Sequence, residues 1–351
     1  MPTMMSMALA APAPPTTSLT AATLRRVISV RERFESAVPV PPPLVVRHAG
    51  VKQKAVVVMG ATGTGKSRLA VDLALRFGGE VINSDKMQVY EGLDVVTNKV
   101  TDDECAGVAH HLIGVAHPDE EFTAFDFRRE ATRAAAGAAE RGRVPIIAGG
   151  SNSFVEELVD GDRRAFRERF DLCFLWVDVN LPVLHGFVAR RVDDMIRRGL
   201  VDEVAAAFDP RRTDYSRGIW RAIGVPELDA YLRARFAGDG GDGEEILAAA
   251  VADIKSNTFR LACRQRGKIE RLERMWRGVR RVDATEVFKR RGIAADEAWQ
   301  RLVAAPCIDA VRSFLYDDME CNSSSNRIFA SGKSSVFVST AGVAVAAAAA
   351  V

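Results

Sequence analysis

The chain has 351 residues, 48% hydrophobic and 27% charged, with a formal net charge of +2. That is the composition of a globular protein with material for one large or two modest domains. Near-neutrality argues against a basic coat for nucleic acid or an anionic membrane, so any bound anion must be held by local features. Five cysteines, an odd number without a C-x-x-C pair, argue against a disulfide framework and a tetrathiolate zinc site and fit a reducing compartment.

Residues 1–48 stand apart as a leader. They hold eight of the fourteen prolines, the first 24 residues carry no charge, and seven of those 24 are Ser or Thr. A secretory signal would need a basic start and a continuous apolar core. The composition instead resembles an organellar transit peptide, more plastid-like (chloroplast) than mitochondrial, and a Pro-rich tail on a cytoplasmic protein is the alternative. The core begins at Lys54. Residues 55–59 (AVVVM) form an apolar, β-branched run suited to a central parallel strand. After a glycine loop, Arg68–Phe77 has Leu69, Leu73 and Phe77 on one helical stripe and Gly78-Gly79 as its stop. Val81-Ile82 is a second strand. Thr123 to Asp126 is a capping box opening a helix to Arg141-Gly142. Val144–Ala148 and Leu172–Val179 are the third and fourth strands. Strands alternating with helices over 49–180 predict a three-layer α/β fold with a mostly parallel, P-loop NTPase-like sheet.

Residues 181–318 read as a mainly helical part that completes the core and a substrate channel. Asn180 is a candidate N-cap and Pro182 suits the first turn. Leu184, Val188, Val192, Met195 and Val204 share one face up to Asp209-Pro210. Residues 238–243 (GDGGDG) are a loop, and a long helix over about 246–275 carries Ile254, Leu261, Ile269 and Leu272 as its stripe. Residues 319–351 are a low-complexity tail. Its Ala-rich run, broken by Ser and Thr, does not read as a membrane anchor.

Gly60-Ala61-Thr62-Gly63-Thr64-Gly65-Lys66-Ser67 matches G-x-x-x-x-G-K-[ST] between a strand and a helix. Loop N–H groups, the helix N-terminus and the Lys66 charge suit phosphate oxygens, and the Ser67 hydroxyl is placed to ligate Mg²⁺. The motif by itself says only that phosphate is bound, since ATPases, kinases and transferases share it. Asn83–Tyr90 follows the second strand at the carboxyl edge of the sheet, where ligands collect. Asp85 there suits a metal-ligand, turn-capping or catalytic role, and Asp178 is placed as the strand-end Asp that binds Mg²⁺ in a plain NTPase. His110 and His111 are adjacent, point apart and lack a third ligand, which favours a structural or substrate-orienting role over metal. Trp176 reads as core. Thirteen Lys/Arg against five Asp/Glu over 253–291 mark either a solvated helix face or a surface for nucleotide phosphates or RNA backbone.

GATGTGKS, SDKMQVYEGLDVVTNK (84–99), HHLIG (110–114), PIIAGGSNSF (145–154), RRVDDMIRRGLVDEV (190–204), RAIGVPE (221–227) and IKSNTFRLACRQRGKIERL (254–272) occur in that order. Together they resemble the tRNA/adenylate dimethylallyltransferase family, and within it the plant adenylate branch, which makes cytokinins. The resemblance covers about residues 54–275. It implies a prenyltransferase that moves a dimethylallyl group from dimethylallyl diphosphate to the N6 amine of ADP, ATP or AMP. It also implies roles. The P-loop (Thr64, Gly65, Lys66, Ser67) holds the donor diphosphate, Asp85 is the general base, and Thr97 and Arg191 complete the diphosphate clamp. Ser153 and Phe154 line the channel. The tRNA branch is the near alternative, disfavoured by the lack of a C-terminal zinc-finger pattern. A P-loop kinase or ATPase is the remaining one and does not require the 84–99 and 190–204 blocks.

Overall fold

The computed structural model describes residues 52–237 and 243–316. The leader (1–48), the tail (319–351) and most of the 238–243 loop lie outside the described residues. Six parallel strands form one sheet in the order β3-β2-β4-β1-β5-β6. They are β1 Gln53–Met59, β2 Gly79–Asn83, β3 His110–His111, β4 Val144–Ala148, β5 Phe170–Asp178 and β6 Arg280–Asp283. The four apolar runs became the inner strands. The two edges, sequences HH and RRVD, carry no apolar run from which a period could be read. In β1, Val57 pairs with Ile147 of β4 and Phe174 of β5. Successive side chains alternate between faces. Ala55, Val57 and Met59 enter a core with Phe127, Phe154 and Trp176, while Val56 and Val58 enter another with Leu69, Leu73 and Phe77. Both faces are therefore covered, and the three layers are those expected.

Helix α1, Lys66–Phe77, springs directly from the glycine loop and is closed by Gly78, whose φ of 65° lets its N–H reach Ala74 O. Helix α2, Ala124–Glu140, opens with the Thr123/Asp126 capping box complete in both directions. Helix α3 spans Asn152–Asp160. The run expected after Asn180 is two helices, α4 Leu181–Arg197 and α5 Leu200–Ala206, parted by Gly199 at φ 94°. The expected face is buried throughout, although Asn180 makes no side-chain cap bond. The long helix, α6 Gly243–Met275, buries Ala250, Ile254, Ala262, Ile269 and Leu272. Leu261, expected on that stripe, is only half-buried, and Ala262 takes its place. A last helical segment, 293–316, contains a π turn at Gln300–Ala304 and packs with α1 on one face of the sheet. Among the described residues no helix is long and apolar enough to cross a membrane.

Asp178 ties these layers together. Buried at the end of β5, its carboxylate accepts from Arg266 of α6 at 3.1 and 3.3 Å and from Arg281 of β6 at 3.1 and 2.5 Å. Both oxygens are thereby drawn into ion pairs with arginines, which gives Asp178 a structural role at the place where a plain NTPase has its Mg²⁺ ligand. Trp176 is core as read, with the Arg281 guanidinium over its ring at 4.7 Å. His111 Nε2 lies 2.7 Å from Glu80, which Arg141 also holds, and His110 bonds Val108 O at 2.9 Å. The histidine pair is thus structural. Asp178→Asn should lower stability by roughly 2–3 kcal/mol, less than for a fully buried pair because Arg281 is half exposed. Urea unfolding reads the loss. Unchanged stability with lost turnover would instead place Asp178 in the chemistry.

Candidate active site

Every implied site residue stands at or beyond the carboxyl ends of β1, β2 and β4, or on the helices that cover that edge. The loop between β1 and α1 turns through Gly63 and Gly65, both left-handed at φ 83° and 92°. Thr64, fully buried, donates its hydroxyl to Ala61 O at 3.0 Å, and Lys66 Nζ donates to the same oxygen at 2.7 Å. Ser67, on the first turn of α1, is exposed. Two helices add side chains to this loop. Arg191 of α4 donates to Thr62 Oγ1 at 3.2 Å, and Gln265 of α6 accepts from Thr62 N at 2.7 Å.

Gln265 also donates to Gly150 O at 2.8 Å, so one amide joins the phosphate loop to the turn after β4. That turn lies backbone to backbone on the Asp85 segment. A Cβ on Gly149 would sit 2.3 Å from Ser84 C and 2.5 Å from Asp85 N, and one on Gly150 would sit 3.0 Å from Asp85 Oδ2. At Gly149 no side chain fits against that backbone, whereas at Gly150 a side chain would have to displace the ends of Gln265 and Asp85. Asp85 is aimed by its own turn: its N–H donates to Asn83 Oδ1 at 3.0 Å and its Oδ1 accepts from Met87 N at 3.0 Å. Oδ2 is the oxygen turned towards Gly150 and Gln265.

Lys66, Asp85 and Arg191 feel one another's charge. Burial pushes the Lys66 amine down to about 8. The Asp85 carboxylate works against that shift and the Arg191 guanidinium adds to it. Burial likewise lowers the Arg191 affinity for its proton, and Asp85 opposes it. Thr97 stands one step back. Its hydroxyl donates to Leu93 O at 2.7 Å, while Glu203 of α5 accepts from Val95 N at 2.9 Å and Val96 N at 2.8 Å to fix that loop. Gln88 holds the loop's other end through Thr97 O and Asn98 O. The structure thus bonds Arg191 to the P-loop, sets Asp85 within range of the charges of Lys66 and Arg191, and ties the Thr97 loop to Gln88, three residues beyond Asp85. Phe154 is a correction: it stacks on Phe127 at 4.7 Å in the core, and only Ser153 beside it is exposed.

Mg²⁺ favours oxygen ligands and keeps several waters, using one or two protein groups plus substrate phosphates. Among the described residues no group of three or more His, Cys, Asp or Glu could hold a metal. The exposed Ser67 hydroxyl, beside a loop built for phosphate, fits a cation that arrives with its diphosphate.

A family model described as "IPP transferase" matches residues 88–168 and 160–270, together just over half of the chain. Adenylate isopentenyltransferase 5, chloroplastic, of Arabidopsis thaliana is 59% identical over 271 residues, which span 76% of this chain and 82% of the relative. The chain belongs to the adenylate isopentenyltransferases. A second relative in this group, adenylate isopentenyltransferase 7, mitochondrial, also of Arabidopsis thaliana, is 52% identical over 266 residues (75% and 80%). Among solved structures, the full-length tRNA isopentenylpyrophosphate transferase of Bacillus halodurans aligns with a TM-score of 0.61 at 25% identity, over 77% of this chain and 99% of that one. The isopentenyltransferase sheet and its helical cover are common to both.

The Lys66 shift has a consequence for binding. Below about pH 8 the amine is charged before ligand arrives. Above it, binding a diphosphate must take up a proton, so affinity should fall by up to about tenfold per pH unit until the complex itself titrates. Calorimetry with an unreactive thiolodiphosphate analogue of the donor should show that slope. It should begin at lower pH in Asp85→Asn, because the carboxylate that sustains the Lys66 charge is gone. An affinity flat from pH 7 to 10 would separate Lys66 from the diphosphate.

Proposed function

We propose that this isopentenyltransferase moves the dimethylallyl group of dimethylallyl diphosphate onto the N6 amine of an adenine nucleotide, ADP or ATP first and AMP third, releasing diphosphate in cytokinin synthesis. The observation that carries the reading is the meeting of Lys66, Arg191 and the loop amides with a single aimed carboxylate, Asp85. The adenine amine is a weak nucleophile, because its lone pair is spread into the ring. An allylic donor compensates, since C1 gains carbocation character as its C–O bond stretches. Charge then builds on the leaving diphosphate, where Lys66, Arg191 and the preset loop amides stabilise it. Mg²⁺, held at Ser67 and the diphosphate, would add further neutralisation. As the N6–C1 bond forms, Asp85 Oδ2 takes the amine proton while Oδ1 stays fixed by Met87 N. Exclusion of water keeps the cation for nitrogen.

A free nucleotide is favoured over tRNA in part because five of the thirteen cations in the 253–291 segment are taken up in ion pairs. Lys255, Arg266, Arg271, Arg281 and Lys289 each pair with an acid of this chain. The leader is proposed to be a plastid address, in keeping with its uncharged Ser/Thr-rich start.

At pH 7 or below, Asp85→Asn should bind donor nearly normally and turn over about a hundredfold or more slowly. Near-normal turnover would assign the proton to another group. With wild type, diphosphate should appear one-to-one with prenylated nucleotide while the nucleotide keeps its own phosphates. Lys66→Ala should weaken donor binding, nearly abolish product and leave nucleotide binding little changed. Steady phosphate release from ATP without donor would favour an ATPase or kinase instead.

A further inference from the structure

Trp299 lies beyond residue 270, where the family match ends, yet its ring stands on the phosphate loop. A Cβ on Gly65 would meet Cη2 and Cζ3 of Trp299, each at 2.7 Å, so the six-membered ring occupies the space where a side chain would go. The ring is fixed on its other sides. Its Nε1–H donates to Asp72 Oδ2 of α1 at 2.8 Å, in full burial. The Arg68 guanidinium lies over its face at 4.7 Å and bonds Asp296 at 2.9 Å. Immediately after it the helix widens into the π turn Gln300–Ala304. An extra residue in a turn shifts the phase of the faces on either side of it. Trp299 thus faces the loop while Val303, Ala304 and Cys307 still enter the core.

We propose that Trp299 is a positioning residue for the donor site: its ring holds the Gly65-Lys66 turn in the shape that grips phosphate. Glycine gives that turn its left-handed geometry and also its freedom, since φ 92° is one of many conformations open to it. A rigid wall against Gly65 removes the freedom before ligand arrives. Preorganised donors act on developing charge without reorganising, and small misplacements are costly in rate. The last helix is therefore a working part of the donor site. The assignment of the donor to this loop rests on the function proposed above; the fixing of the loop does not.

The test compares wild type, Trp299→Leu and Trp299→Phe by calorimetry with the thiolodiphosphate analogue, by nucleotide KM, and by amide hydrogen exchange of the unliganded protein. Trp299→Leu should weaken the analogue about tenfold or more, leave nucleotide KM little changed, and speed exchange at Thr64–Lys66 but not at Val56–Val58. Trp299→Phe, whose shorter ring fills only part of the indole's space, should recover part of the affinity. Should Trp299→Leu not fold, Trp299→His keeps a ring nitrogen for Asp72 and takes only the six-membered ring from Gly65, with the same outcomes expected. Wild-type analogue affinity in the folded variant, or exchange that rises equally in loop and strand, would overturn the proposal. Wild type that ignores the analogue and binds ATP at the loop would sink the donor reading alone, and the exchange pattern would still decide whether Trp299 fixes the turn.

Discussion

One buried lysine, a half-buried arginine and a half-buried carboxylate stand within reach of one another's charge, and the rest of the site is arranged around that imbalance. Lys66 and Arg191 each lose hydration on burial and each repels the other, with Asp85 as partial compensation. Such a cluster is held together only by surroundings that permit no retreat. Arg191 is fixed on a helix buried along its apolar face, Lys66 starts a helix sealed under the sheet, and Asp85 is locked by its own turn. A polyanion would relieve the repulsion that the fold imposes, in keeping with the diphosphate donor proposed above.

The constraint reaches outward through backbone contacts. Gly149 and Gly150 let the turn after β4 lie directly on the Asp85 segment, and Gln265 clips that turn to the phosphate loop. Arg266, the next residue, is anchored by Asp178, so the carboxylate once eligible for metal instead secures the helix that carries the clip. Glu203 does the same service for the loop that bears Thr97.

How far this was legible depended on the range over which each signal acts. β1, β4 and β5 are continuous apolar runs and could be read directly, as could the glycine loop and the capping box at Thr123. Gly199 left no mark in the apolar period, so one run concealed two helices. Taken alone, Asp85 stood open among three roles and only the family resemblance made it a base; the structure adds its Asx turn and the facing glycines. Gln265 and Trp299 act on partners 203 and 227 residues away, and nothing local distinguishes them from an ordinary helical Gln and a core Trp. Phe154 shows the opposite failure, a residue in a telling block whose neighbours make it core.

The brevity of the outermost strands has a consequence for life in a crowded solution. An open parallel sheet ends in rows of unpaired N–H and C=O groups, each row a template for a foreign chain. Here one border is a two-residue strand of histidines, and the other is four residues bearing two arginines and an aspartate. Neither border is long or apolar enough to recruit another strand. The long, flat, apolar strands that would aggregate most readily lie inside the sheet, shielded by borders too short and too charged to be extended.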